Sequence, residues 1–272
     1  MNKLIKSTIA GAALLIAPLS HAALVTDWDF TVTLEWDSSV FGTGSGLGAD
    51  PLAQTFQRLV WGSTTGYVNT GAASDIGTTR SALIISNPSV NGVIQTDGPS
   101  VNTNLITHFN NPISADFATL TSAVLKSTLS LTPLSPAGSP LPQFSTTFDI
   151  KFIETANQTP CQPTSVSVCD DIFVISNNAL NAAFVYNEFN YFISIFETSN
   201  RLNPLNPAVC TAAGAGTECL GFQTQESQNT PAQFAFVITS EPVRIVAAPG
   251  VIGLMGLGLV ALAGIRRRRQ AS

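Results

Sequence analysis

From Trp28 to Trp36 the chain alternates strictly: Trp28, Phe30, Val32, Leu34 and Trp36 are apolar, while Asp29, Thr31, Thr33 and Glu35 between them are polar. A period of two places one set on each face of an extended strand, so this segment predicts a half-buried β-strand rather than a helix. The alternation returns at Phe144, Thr146, Phe148, Ile150 and Phe152, and again at Phe234, Phe236 and Ile238. Apolar runs at Leu83–Ile85, Val124–Leu131, Ile172–Ile175, Phe184–Tyr186 and Tyr191–Phe196 add strand candidates, and the Phe56–Trp61 segment reads as another. Pro88, Pro99, Pro112, Pro133, Pro136, Pro140 and Pro142, with many Asn, Ser and Thr, punctuate the intervals. The expected fold is all-β, an antiparallel β-sandwich with long polar loops, in preference to alternating βα units. Residues 23–242 are expected to form one β-rich extracellular domain, with a division near Leu134 as the alternative. The proline-rich Leu134–Pro142 stretch is expected to be an extended loop between sheets.

The two ends read as addresses. Lys3 and Lys6 precede an apolar run from Ile9 to Leu19, and Ser20-His21-Ala22 supplies small residues at the positions a signal peptidase reads. Residues 1–22 are therefore expected to be a signal peptide, cut between Ala22 and Ala23. Residues 243–265 are apolar apart from Arg244 and are followed by Arg266, Arg267, Arg268 and Arg269. That pattern predicts one transmembrane helix with a basic cytoplasmic tail over residues 266–272, and hence inner-membrane anchoring before release to the surface or matrix. Setting aside Lys3, Lys6 and the four terminal arginines leaves six basic residues against 17 acidic ones, a formal charge near −11. Such a surface argues against nucleic acid as a partner, because phosphate contacts need cations.

Cys161, Cys169, Cys210 and Cys219 suit an oxidising compartment. Four cysteines permit three pairings, of which the sequence neighbours are the simplest. Their spacing is not that of zinc knuckles, and no metal site or cofactor is expected. With His21 in the signal, His108 is the one imidazole of the mature chain, and no Gly-x-Ser-x-Gly elbow accompanies it. Nothing in this set announces a catalytic residue. Asp27 with Asp29, and Asp170 with Asp171, are paired carboxylates that solvated strand edges explain. The glycine run from Gly42 to Gly48 lacks the helix that a phosphate-binding loop must open, and is read as a surface turn.

The tail from Val246 to Arg269 resembles the carboxy-terminal sorting signal of the PEP-CTERM proteins, although Val246-Ala247-Ala248-Pro249-Gly250 keeps only the second proline of the family's Pro-Glu-Pro. Thr107-His108-Phe109-Asn110 with Asn111-Pro112 resembles the motif of the THxN group within that family. Arg58–Gly62, Phe152–Thr155 and Asp171–Phe173 are similar to further segments of the group. The resemblance implies export, recognition of Pro249 and the arginine cluster by an exosortase-type enzyme, and residence at the surface or in an exopolysaccharide matrix, with no reaction attached. The expected function is thus a non-enzymatic structural or adhesive component of that matrix. A carbohydrate-binding module is the alternative, and a secreted hydrolase a more distant one. For the motif itself, the residue chemistry favours a clamp on a strand end, with Thr107, His108 and Asn110 hydrogen-bonding nearby groups. The competing reading is a glycan contact made by Trp61, His108 and Asn110.

Overall fold

The computed structural model describes residues 22–42, 44, 54–155, 165, 169–175 and 181–241. Thirteen strands are present among them: β1 (Asp27–Gly42), β2 (Arg58–Gly62), β3 (Arg80–Ser86), β4 (Ser89–Gln95), β5 (Val101–Asn110), β6 (Thr119–Ser135), β7 (Phe144–Ile153), β8 (Asp171–Ile175), β9 (Asn181–Tyr186), β10 (Phe189–Glu197), β11 (Asn203–Pro204), β12 (Leu220–Thr224) and β13 (Gln228–Thr239). They pair into two curled antiparallel sheets, ordered β11-β12-β8-β7-β6-β1-β4 and β2-β3-β5-β13-β10-β9. Every alternating segment of the sequence is a strand, and the inward set is the apolar one: Trp28, Phe30, Val32, Leu34 and Trp36 of β1 are all buried.

β1 passes through both halves of the interior. Its first half packs Trp28, Phe30 and Val32 against Leu131, Tyr191, Phe236 and Ile238, with Trp28 edge-on to Tyr191 at 5.1 Å. Its second half packs Leu34 and Trp36 among Leu83, Leu125, Phe148, Phe152 and Phe173. Between these halves Thr103, Asn104 and Ser127 line a mainly apolar cavity. A wholly buried side chain such as Leu125 (1% exposed) is worth about 2–5 kcal/mol against alanine at such a site.

Some strands are covered on both faces, which explains their unbroken apolar runs. Val60, Ala82 and Ile84 lie under the segment 63–79, where Ala73–Ile76 forms a 3-10 turn that buries Ile76. Arg58 pins that segment by donating to Asn69 Oδ1, Asp75 Oδ2 and the Ala72 carbonyl at 2.9, 3.0 and 2.6 Å. Arg80 donates to the Ser63 and Thr65 carbonyls and lies over the Tyr67 ring. On the other sheet, Ile172 and Val174 are covered by Val209 and Ala213 of the segment around α1 (Pro207–Ala212). Asn206 caps α1 through the Ala208 amide, and Pro207 fills the first position, where no donor is needed. The Cys210–Cys219 disulfide ties the helix to the start of β12. Cys169 is also disulfide-bonded, whereas Cys161 lies outside the described residues.

Two expectations are corrected. No helix among the described residues is long and apolar enough to cross a membrane. α1, with six residues, is about 9 Å long against a hydrocarbon layer of roughly 30 Å. The transmembrane helix, and the membrane anchoring and inner-membrane location that rested on it, therefore do not stand as elements of this fold. The segment assigned to it, 243–265, lies outside the described residues, as do Pro249, Arg266, Arg267, Arg268 and Arg269 and the signal residues 1–21. The second correction concerns the proline-rich stretch from Leu134, which joins β6 to β7, neighbours in one sheet, rather than linking the two sheets. At the front of the described chain Ala22 and Ala23 are exposed, and Val25 is the first buried residue.

Candidate functional site: a buried acid and histidine cluster

β5 reverses the usual rule of strands, because its inward residues include polar ones. Thr103, Ile106, His108 and Asn110 point into the sandwich, while Thr107 and Phe109 point outward and are half-buried. Phe109 packs on the Val60, Ile76 and Ile84 cluster. His108 pairs in register with Leu83 of β3 and Thr230 of β13, so the imidazole emerges near the middle of its sheet and reaches toward the facing one.

Four segments that stand out in the sequence converge there. The Trp61 ring of β2 lies near-parallel to the His108 ring with centroids 6.4 Å apart, and Phe152 of β7 stands edge-on to the imidazole at 5.0 Å. Asp171, the first residue of β8, places Oδ2 3.7 Å from His108 Nε2. Glu154, just past β7, accepts a 2.7 Å hydrogen bond at Oε2 from the Trp61 indole nitrogen. Glu226, in the β12–β13 turn, completes an acidic group in which one oxygen each of Glu154, Asp171 and Glu226 lies within 4.8 Å of the others. His108 and Asp171 are wholly buried, while Glu154 and Glu226 are half-buried as residues with their Oε1 atoms enclosed.

Neighbours fix some of these atoms and leave others without a hydrogen bond. Asp171 Oδ1 accepts from the Thr155 amide at 2.9 Å. The Glu154 and Asp171 carboxyls hydrogen-bond to each other, whereas Asn110 Oδ1 and both His108 ring nitrogens are buried without a partner. Such atoms forfeit hydration and gain nothing in return, a cost of about 1–3 kcal/mol each. Burial also governs ionisation. It drives the His108 pKa down to about 3, leaving the imidazole neutral, so its approach to Asp171 is not an ion pair. Burial pushes Glu154 up to about 8, and it raises Asp171 well above the ordinary range, with the neighbouring Glu154 charge acting in the same direction.

The rest of the motif is a set of long-range ties. Asn110 Nδ2 donates to the Thr224 carbonyl of β12 at 2.8 Å, joining the two sheets. Asn111 Nδ2 donates to the Arg80 carbonyl at 2.7 Å, and its amide donates to Ser81 Oγ. Pro112 is exposed as the chain leaves the strand. The partners of Asn110 and Asn111 are thus distant in sequence rather than local, and His108 itself contributes no hydrogen bond.

Trp61, His108 and Asn110 do come together, but all three are buried, so none offers a face to a sugar ring. Asp170 and Asp171 are buried too, which corrects their reading as solvated edge residues. For Glu226 the sequence offers no signal. It sits two residues after a strand too short to show alternation, in a turn that carries no distinctive spacing. No protein-family model matches the chain, and no curated protein matches it.

Proposed function

We propose that this chain is a non-catalytic, exported structural or adhesive component of a cell-surface or exopolysaccharide matrix. One observation carries the reading. Across the outer face of one sheet, Ser89 of β4, Thr33 of β1, Thr128 of β6 and Ser145 of β7 stand in register as a row of four hydroxyl residues. Asn91, Thr31 and Ser130 form a second row beside it. Neighbouring strands are about 4.8 Å apart, so a row of four spans about 14 Å, roughly three sugar units, with donors and acceptors but no charge. A neutral polymer lying across the strands can exchange its own hydroxyl contacts for these.

The Cys210–Cys219 disulfide supports residence in an oxidising compartment. Burial of His108 and Asp171 weighs against a hydrolytic site, since substrate has no approach to them. Signal peptidase, an exosortase-type enzyme and exopolysaccharide are the partners this reading brings with it.

The test is retention of the purified full chain on an immobilised neutral polysaccharide. Saturable retention is expected, and replacing Thr33 and Ser145 by Arg should weaken it about fivefold or more at unchanged melting temperature. Absence of saturable retention, or retention indifferent to these substitutions, contradicts the adhesive face.

A further inference from the structure

The geometry points to a cation site: we propose that Glu154, Asp171 and Glu226, together with Nε2 of His108, hold one divalent cation of the zinc or manganese kind between the two sheets. This goes beyond the adhesive reading and stands or falls independently of it.

The acidic oxygens lie within 4.8 Å of one another, a few tenths of an ångström beyond the roughly 4.4 Å that separates opposite ligands each about 2.2 Å from one ion, so small side-chain adjustments close the set on a single ion. An acidic group alone would mean little. The second observation is His108, wholly buried, with neither ring nitrogen hydrogen-bonded. Its Nε2 is 3.7 Å from Asp171 Oδ2, too far for a hydrogen bond but within the span of two ligands sharing a metal. A neutral imidazole without a partner in an apolar interior is costly, and metal ligation uses the lone pair that nothing else in the structure uses.

The surroundings are those of an oriented ligand set. Trp61 holds Oε2 of Glu154, and the Thr155 amide holds Oδ1 of Asp171, so the other oxygen of each is left for the ion, in place of the hydrogen bond that the two carboxyls otherwise make to each other. Fixing one oxygen of a carboxylate so that the other faces the ion is the role of outer-shell donors. Glu154 and Glu226 are half-buried as residues, but their Oε1 atoms are enclosed, so an ion enters only when the β12–β13 turn moves aside. Calcium prefers oxygen throughout, whereas a mixed set of one imidazole and three carboxylates suits zinc or manganese. The cation would draw β5 of one sheet and β8 of the other to a single point, and it would relieve the repulsion among three carboxylates that protons otherwise relieve.

The experiment uses the untagged full chain, stripped with EDTA, dialysed separately against zinc, manganese or calcium chloride, and analysed for bound metal and melting temperature. About one zinc or manganese per chain is expected, with a higher melting temperature. Glu226→Gln, at a half-buried position where folding should survive, should lower affinity about tenfold or more, as should His108→Gln. If His108→Gln fails to fold, Glu226→Gln alone decides. No stoichiometric binding, binding of calcium alone, or unchanged affinity in Glu226→Gln overturns the proposal.

Discussion

At the scale of residues, the polar groups buried around His108 set the chemistry of the interior. The Trp61 indole is the donor to Glu154 Oε2, so Trp61→Phe should destabilise the domain by about 1–3 kcal/mol through the unpaired carboxyl, beyond the small loss of packing. Urea denaturation of the two proteins measures this, and a difference within error would show that water replaces the indole. The same carboxyl gives a pH dependence with a definite sign. Burial raises Glu154 from 4.5 to about 8 in the folded chain, so the native state binds the proton more tightly than the unfolded one. That contribution is complete below pH 4.5 and is lost as pH rises through 8. Asp171 is shifted in the same direction, and the Glu226 charge raises both carboxyls. His108, lowered by burial from 6.5 to about 3, instead takes up a proton only in the unfolded chain between those values, and so opposes the slope below pH 6.5. In EDTA, the melting temperature should therefore fall between pH 6.5 and 8, where His108 no longer opposes it, with a shallower slope in Glu154→Gln. A flat or rising profile that is the same in both proteins would contradict it.

The elements differ in what holds them. α1 is too short to persist alone and depends on Val209 packing against Ile172 and Val174, on its Asn206 cap and on the disulfide. Cys219 follows Cys210 by nine positions, and closing so short a loop contributes about 2.5 kcal/mol. The Cys210→Ala, Cys219→Ala protein should lose about that much in urea denaturation while keeping its β circular-dichroism spectrum. The 63–79 segment depends instead on Arg58 and Arg80. Arg58→Ala should make it the first site of limited proteolysis at neutral pH. The Asp75 carboxyl is held below its ordinary value of 3.8, first by the Thr70 hydroxyl and also by Arg58. Its contribution is therefore present above pH 3.8 and disappears as pH falls through the lower folded value, so the natural protein should become cleavable there only in acid. These elements also show where the sequence is readable. β1, β7 and β13 carry their inward faces as plain alternation, and β8 its two-sided burial as a continuous apolar run. β5 does not announce itself as a strand because its inward set contains Thr103, His108 and Asn110, so the alternation of polarity is nearly inverted. β4 and β12 are short, and each has a glycine in place of an apolar side chain.

For the molecule as a whole, the same inversion explains how much of the site is visible in the sequence. Trp61, His108, Glu154 and Asp171 all lie in segments that stand out in the sequence, yet their convergence depends on two separate sheets facing each other, which no local spacing encodes. Burial is equally invisible: the Trp61 indole on one segment and the His108 imidazole and Asn110 amide on another leave a sugar contact open beside the favoured clamp, whereas the two sheets close over all three. On the proposed reading, an interior cluster ties sheet to sheet while the outer hydroxylated face meets the surroundings. Asn110 tests this division best, because it belongs to the motif, joins β5 to β12 through its 2.8 Å bond to Thr224, and lies outside the proposed ligand set. The deciding measurement is urea stability and polysaccharide retention, side by side, for the natural chain and Asn110→Ala. Stability should fall by about 1–3 kcal/mol while retention per folded molecule is unchanged. Unchanged stability with lost retention would mean that the motif is a contact surface after all.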